Sequence, residues 1–107
     1  MELQDAVLIQ RGREALIAAL GTPEGQDSVD LFVQHHLDEL EPAWWQAQLG
    51  TGVPDPRSML GLLEREMLSD DGSGFQIDYC LPDDISDYRL VVAFDRNGTV
   101  TGIAMES

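Results

Sequence analysis

YRLVVAFDRNGTVTGIAM, residues 88–105, is the stretch that decides the fold class. Two apolar runs flank Asn97-Gly98, a dipeptide suited to the positive φ angles of a tight hairpin turn. If these two residues alone make the turn, Phe94 faces Thr101, Val92 faces Ile103 and Leu90 faces Met105. That register gathers the large apolar groups on one face, which a slip by one residue would undo. A three-residue turn, Arg96 to Gly98 with a bulge at Gly98, would pair Phe94 with Val100 and Val92 with Gly102. Cross-strand apolar matching favours the two-residue turn.

Upstream, Phe75, Ile77, Tyr79 and Leu81 alternate with Gln76, Asp78 and Cys80, the period of a half-buried strand. The linker PDDISD joins it to the hairpin, so the C-terminal part predicts a three-stranded antiparallel meander with Asp78 and Cys80 on the far face. Before Leu68 the spacing changes to that of helices. A first helix is expected from about Leu3 to Leu20, with Gly12 inside it and Gly21 as its cap. The segment TPEGQD then reads as a loop. A second helix starts at Asp27 or Ser28 and runs to Leu40, a third covers Ala43–Leu49 after Pro42, and Gly50 closes it. Asp55 and Pro56 open a fourth, expected to reach Met67 on a stripe of Met59, Leu60, Leu63 and Met67. Ser69–Gly74 reads as a loop. The expectation is one α+β domain over 1–107, its helical part at 1–68 and its sheet at 74–106. The helices should lie on one face of the sheet, burying its apolar side.

Charge narrows the function. Of 107 residues, 20 are acidic and 6 basic, a formal net charge of -14, and every basic residue is Arg. The six Arg are scattered at 11, 13, 57, 65, 89 and 96, with no stripe to neutralise a phosphate backbone, so nucleic acid is not expected as a partner. An anionic membrane surface would repel the chain for the same reason. A basic protein would be attracted, and salt would weaken that attraction. Acidity also serves plain solubility. The single Cys80 has no internal partner and fits a reducing compartment. The N-terminal stretch lacks the pattern of a signal peptide, and no run is apolar enough to span a bilayer; a cytoplasmic location is expected.

Candidate chemistries fail one at a time. His35 and Glu39 stand four apart and His36 and Glu39 three apart, spacings that can present two metal ligands. A zinc site needs three or four, and His36 falls on the apolar stripe, where a hydrogen-bonded core histidine is the simpler reading. No metal or cofactor is expected. The carboxylates Asp38, Glu39, Glu41, Asp70, Asp71, Asp83, Asp84 and Asp87 cluster on loops and polar faces, where each should stay ionised and useless for acid–base work. SDDGSG lacks the spacing of a calcium loop. Asp78 and Asp83 near Cys80 would disfavour its thiolate. Adjacent Trp44 and Trp45 point about 100° apart on a helix. Trp45 is expected to pack with Leu49, and core packing of both rings is the favoured reading; the alternative leaves Trp44 partly covered and suited to a binding surface.

The words LFVQHHLDEL, WWQAQLGTGVPDP, FDRNG and GIAMES together resemble a family of small acidic bacterial proteins known as a domain of unknown function. The resemblance covers about residues 28–107 and implies a helical segment plus a short sheet; it supplies no catalytic residue. In composition alone the chain is also similar to immunity proteins of bacterial toxin systems, small acidic α+β proteins that neutralise basic nuclease toxins. The expected function is a binding module without catalytic activity, its most concrete version an inhibitor of a basic toxin. Its candidate surface comprises Asp38, Glu39, Glu41, Trp44, Asp70, Asp71, Asp83, Asp84 and Asp87. The alternative is a self-associating structural protein, pairing through an open edge at Phe75–Leu81 or Val100–Met105. A small enzyme ranks third and would need His35 or His36 to meet a carboxylate from another segment.

Overall fold

Four helices precede a four-stranded antiparallel sheet. The structure, a computed structural model, describes residues 5–70 and 72–106. The helices are α1 (Asp5–Ala19), α2 (Val29–Glu39), α3 (Pro42–Leu49) and α4 (Pro56–Gly61). The strands are β1 (Glu64–Asp70), β2 (Gly74–Cys80), β3 (Arg89–Asp95) and β4 (Val100–Glu106), in spatial order β1-β2-β3-β4. Helix punctuation follows the sequence closely. Gly21 and Gly50 adopt φ of 77° and 76°, the left-handed conformation that ends a helix cheaply only at glycine. Asp55 accepts the Ser58 backbone N–H at 3.2 Å and caps α4. The TPEG segment forms a short 3-10 turn, Pro23–Gly25. No helix among the described residues is long and apolar enough to cross a membrane.

The sheet has one strand more than the three expected. Helix α4 ends at Gly61, well short of Met67, and Glu64–Asp70 pairs with β2 as a further strand. Local preference favours helix over LLEREM, whose Leu, Glu, Arg and Met are good helix formers. Tertiary pairing overrides it, because a strand here satisfies the outer hydrogen-bonding edge of β2 along the whole register from Glu64↔Cys80 to Asp70↔Phe75. A register shift between Arg65 and Met67 accommodates one extra residue. The SDDGSG stretch is consequently part strand and part hairpin connection, with Gly72 at φ 89°. The open edge expected at Phe75–Leu81 is therefore covered, and the sheet portion starts at Glu64 rather than 74.

The β3–β4 turn combines both predicted registers. Asp95 N–H donates to the Thr99 carbonyl at 2.9 Å and Gly98 N–H to the Asp95 carbonyl at 3.0 Å, so the loop is Arg96–Gly98, three residues long. The Asp95 carboxylate decides this: its Oδ1 accepts the N–H groups of Asn97 and Thr99 at 2.9 and 3.0 Å. Phe94 thus pairs with Val100 and not Thr101. A bulge then restores the apolar register, giving Val92↔Ile103 and Leu90↔Met105 as the two-residue turn required.

One sheet face carries the core. Ile77, Tyr79, Leu90, Val92 and Phe94 pack with Leu8, Leu16, Phe32, Val33, Trp45, Met59 and Leu60 from the helices. Each such side chain contributes roughly 1.5–3 kcal/mol by leaving water. The helices are locked down by two Arg side chains: Arg11 donates to the Gly98 carbonyl at 3.0 Å, and Arg13 to the Leu60 carbonyl at 3.2 Å. On the opposite face Gln76, Thr101, Gly102 and Ala104 are exposed. Asp78 is only 8% exposed there, and Arg89 at 3.3 Å supplies its countercharge.

Candidate binding surface

Strand direction sorts the candidate residues into two groups. Because β1 and β2 run antiparallel, Asp70 lies at the end of the sheet that carries the β3–β4 turn, where Arg96 pairs with it at 3.2 Å. The 81–88 connection lies at the other end, beside α2 and α3. Gln48 of α3 donates to Asp83 Oδ2 at 2.8 Å. That bond holds Asp83 at φ 66°, a backbone conformation L residues seldom adopt outside Asn and Asp. Asp38, Glu39, Glu41, Asp83 and Asp87 are exposed, and half-buried Trp44 lies on α3 one turn before Gln48, the residue that binds Asp83. The structure therefore separates Asp70 from the rest of the expected surface. Asp71 and the side chain of Asp84 lie outside the described residues.

The two tryptophans divide their labour along α3. Trp45 is 1% exposed and sits in the core, and Trp44 packs edge-on against it, ring centroids 4.9 Å apart. Pro42 at the first turn sets the chain direction after Glu41 and puts Trp45 inward.

His36 does the fastening that sequence reasoning left open. It is 1% exposed, with Nδ1 2.7 Å from the Phe32 carbonyl and Nε2 2.6 Å from Ser86 Oγ. A carbonyl can only accept, so Nδ1 carries the proton and Ser86 donates to Nε2. Tyr88 N–H in turn donates to Ser86 Oγ at 3.1 Å. The partner of the histidine is thus a hydroxyl, not the carboxylate an enzyme reading required. A serine bonded to a neutral imidazole resembles half of an activated nucleophile. The ring is enclosed, and together with the Tyr88 N–H bond to Ser86 the pair ties α2 to the acidic connection as a clasp. Nothing in the sequence singles out Ser86 for this role. His35 stacks edge-on against Tyr88 at 4.6 Å and closes the clasp from outside.

Burial holds the His36 pKa below its usual value, and the charge of His35 acts in the same direction against the pull of the Phe32 carbonyl. The sign for stability follows. Below pH about 6.5 the unfolded chain takes up a proton that the folded chain resists, so stability is complete above that pH and falls as pH drops through it. One proton limits the slope to about 1.4 kcal/mol per pH unit. Urea midpoints measured between pH 7 and 5 should decline for the wild type and stay nearly flat for His36→Phe. Equal declines would show that another group sets the acid sensitivity.

Among the described residues no group of three or more His, Cys, Asp or Glu is placed to hold a metal ion. Cys80 is half-buried at the end of β2. Compared with known proteins, the chain matches no family model, no curated protein and no solved structure.

Proposed function

We propose that this protein is a non-catalytic binding module whose acidic end docks on a basic protein, its most concrete form being an inhibitor that neutralises a basic toxin. One observation carries this reading: the α2–α3 corner and the 81–88 connection bring Asp38, Glu39, Glu41, Asp83 and Asp87 to one end, with half-buried Trp44 on α3 one turn before Gln48, which binds Asp83. Four of the six Arg are committed elsewhere, Arg11 and Arg13 to backbone carbonyls and Arg89 and Arg96 to Asp78 and Asp70. The acidic end accordingly projects a strong negative potential, with an aromatic anchor to convert encounter into contact. The His36–Ser86 clasp and the Gln48–Asp83 bond hold that surface in place beforehand, which lowers the ordering cost of binding.

The test is affinity capture from the native cytosol. A stoichiometric basic protein, such as one encoded beside this gene, should be retained at about 0.05 M salt and released toward about 0.5 M as screening rises. Asp83→Asn/Asp87→Asn should weaken its retention, whereas Asp70→Asn at the far end should not. Failure to retain any stoichiometric basic protein would count against the proposal.

A second reading, self-association, rests on β4. Among the described residues it pairs on one side only, beside a cleft of about 510 Å³ lined by Ala15, Ala18, Ala19, Val100 and Ile103. The net charge of -14 on each copy opposes it. A clean monomer in sedimentation at micromolar concentration removes it.

A further inference from the structure

At the corner between α2 and α3 lies a cleft of about 460 Å³, within the range of roughly 300–1,000 Å³ usual for ligand sites. Its lining combines two chemistries. Leu40, Pro42 and Val53 offer apolar contact, and Val53 is 86% exposed. Asp38, Glu39 and Glu41 stand exposed along the same lining, and among the described residues no Arg or His shares it. Apolar wall and anionic rim together match the amphipathic side chain of Arg or Lys, whose carbon stem packs while its head stays with carboxylates.

A second observation points the same way. Trp45 also lines the cleft, is 1% exposed, and its indole N–H finds no acceptor among the described residues. Buried donors are almost always satisfied, so an orphan beside a cleft calls for an acceptor brought from outside. Carboxylate rims attract cations of any kind; an unpaired donor on a lining residue asks in addition for a carbonyl. An extended peptide supplies both, a basic side chain and a backbone carbonyl. Gly52, Val53 and Pro54 of the connector after α3 form one side of the cleft, and they must shift slightly for a chain to reach the enclosed indole.

We infer that this cleft receives an extended basic segment of the partner protein, with an Arg or Lys against Asp38, Glu39 and Glu41 and a backbone carbonyl on the Trp45 indole N–H. The inference rests on the basic-partner reading and deepens it. The test titrates the ¹⁵N-labelled full chain with a blocked Gly-Leu-Arg-Leu-Arg-Gly peptide and, in parallel, with its Glu-for-Arg counterpart. The basic peptide should move the Trp45 indole N–H resonance downfield and the Trp44 one less. E39Q/E41Q should bind it roughly tenfold more weakly, since two rim charges are lost from exposed positions that do not support the fold. Equal shifts with the acidic peptide overturn the inference, as does an unmoved Trp45 indole. If the basic peptide instead shifts resonances at 81–88, the cleft assignment falls while the basic-partner reading stands. If the captured partner of the preceding test is itself absent and the basic peptide shifts nothing at low salt, both fall.

Discussion

Trp45→Ala is expected to destabilise the protein by about 3–5 kcal/mol, the range for truncating a large buried aromatic. Against a total stability of roughly 5–15 kcal/mol for a domain, that is enough to leave the variant partly unfolded at room temperature. Trp45 is 1% exposed and belongs to the cluster that holds Phe32, Met59 and Leu60 against β2 and β3. Its loss would open a cavity under the α2–α3 corner that backbone at Pro42 and Gly52, already in close contact, is poorly placed to refill. Two comparisons make the prediction specific. Trp44→Ala removes a half-buried side chain on the neighbouring position and should cost markedly less. Trp45→Phe should cost less than its lost volume suggests, because it also removes an indole N–H that has no acceptor. Urea unfolding followed by far-ultraviolet circular dichroism separates the three variants. A Trp45→Ala variant within 1 kcal/mol of the wild type would show that this residue is not the anchor described above.

How much of this was legible beforehand depends on what kind of signal each element carries. The turns of α1 through α3 were readable because Gly21, Gly50 and Pro42 act locally, through φ alone. Rotation of about 100° per residue separates Trp44 from Trp45 on a helix, but both rings were expected in the core, and only Trp45 is buried there while Trp44 is half-buried. Strand β1 was not readable from periodicity, since Met59, Leu60 and Leu63 continue a helical stripe into residues that a neighbour recruits for pairing. One local sign did exist: Asp71-Gly72 is itself a hairpin dipeptide between two apolar segments, the same cue that located the β3–β4 turn. That turn was hard for a different reason. Two registers competed, and Asp95 side-chain acceptance of two N–H groups fixed the loop while a bulge rescued the apolar match. As for the candidate surface, charge clustering along the chain located carboxylates but not their neighbours in space. Asp70 belongs to the far end because strand direction puts it there, and Ser86 entered only through a contact spanning 50 positions.

Gly12 offers the sharpest test of how α1 meets the sheet. By helix propensity alone, alanine at this interior position should stabilise α1 by about 1 kcal/mol. The structure reverses the sign. Tyr79, fully buried on β2, donates its hydroxyl to the Ile9 carbonyl at 2.7 Å, one turn before Gly12. A Cβ at Gly12 would run into that hydroxyl and crowd the ring carbons behind it. Burial drives the phenol pKa up to about 12 despite the nearby Arg13, so the group remains a neutral donor throughout the working range. Its ring is wedged between helix and sheet and cannot swing away without leaving its acceptor. Gly12→Ala should therefore destabilise by about 1–3 kcal/mol, the cost of overpacking a filled core. Tyr79→Phe alone should cost about 1 kcal/mol for the lost hydrogen bond. In the double variant the hydroxyl is gone, the worst collision with it, and the alanine regains part of its helical advantage. The two changes should thus couple favourably, the double being less destabilised than the sum of the singles by more than about 0.5 kcal/mol. Additive effects would mean that α1 tilts away from β2 to admit the methyl group, and that the glycine is there for some reason other than the tyrosine beneath it.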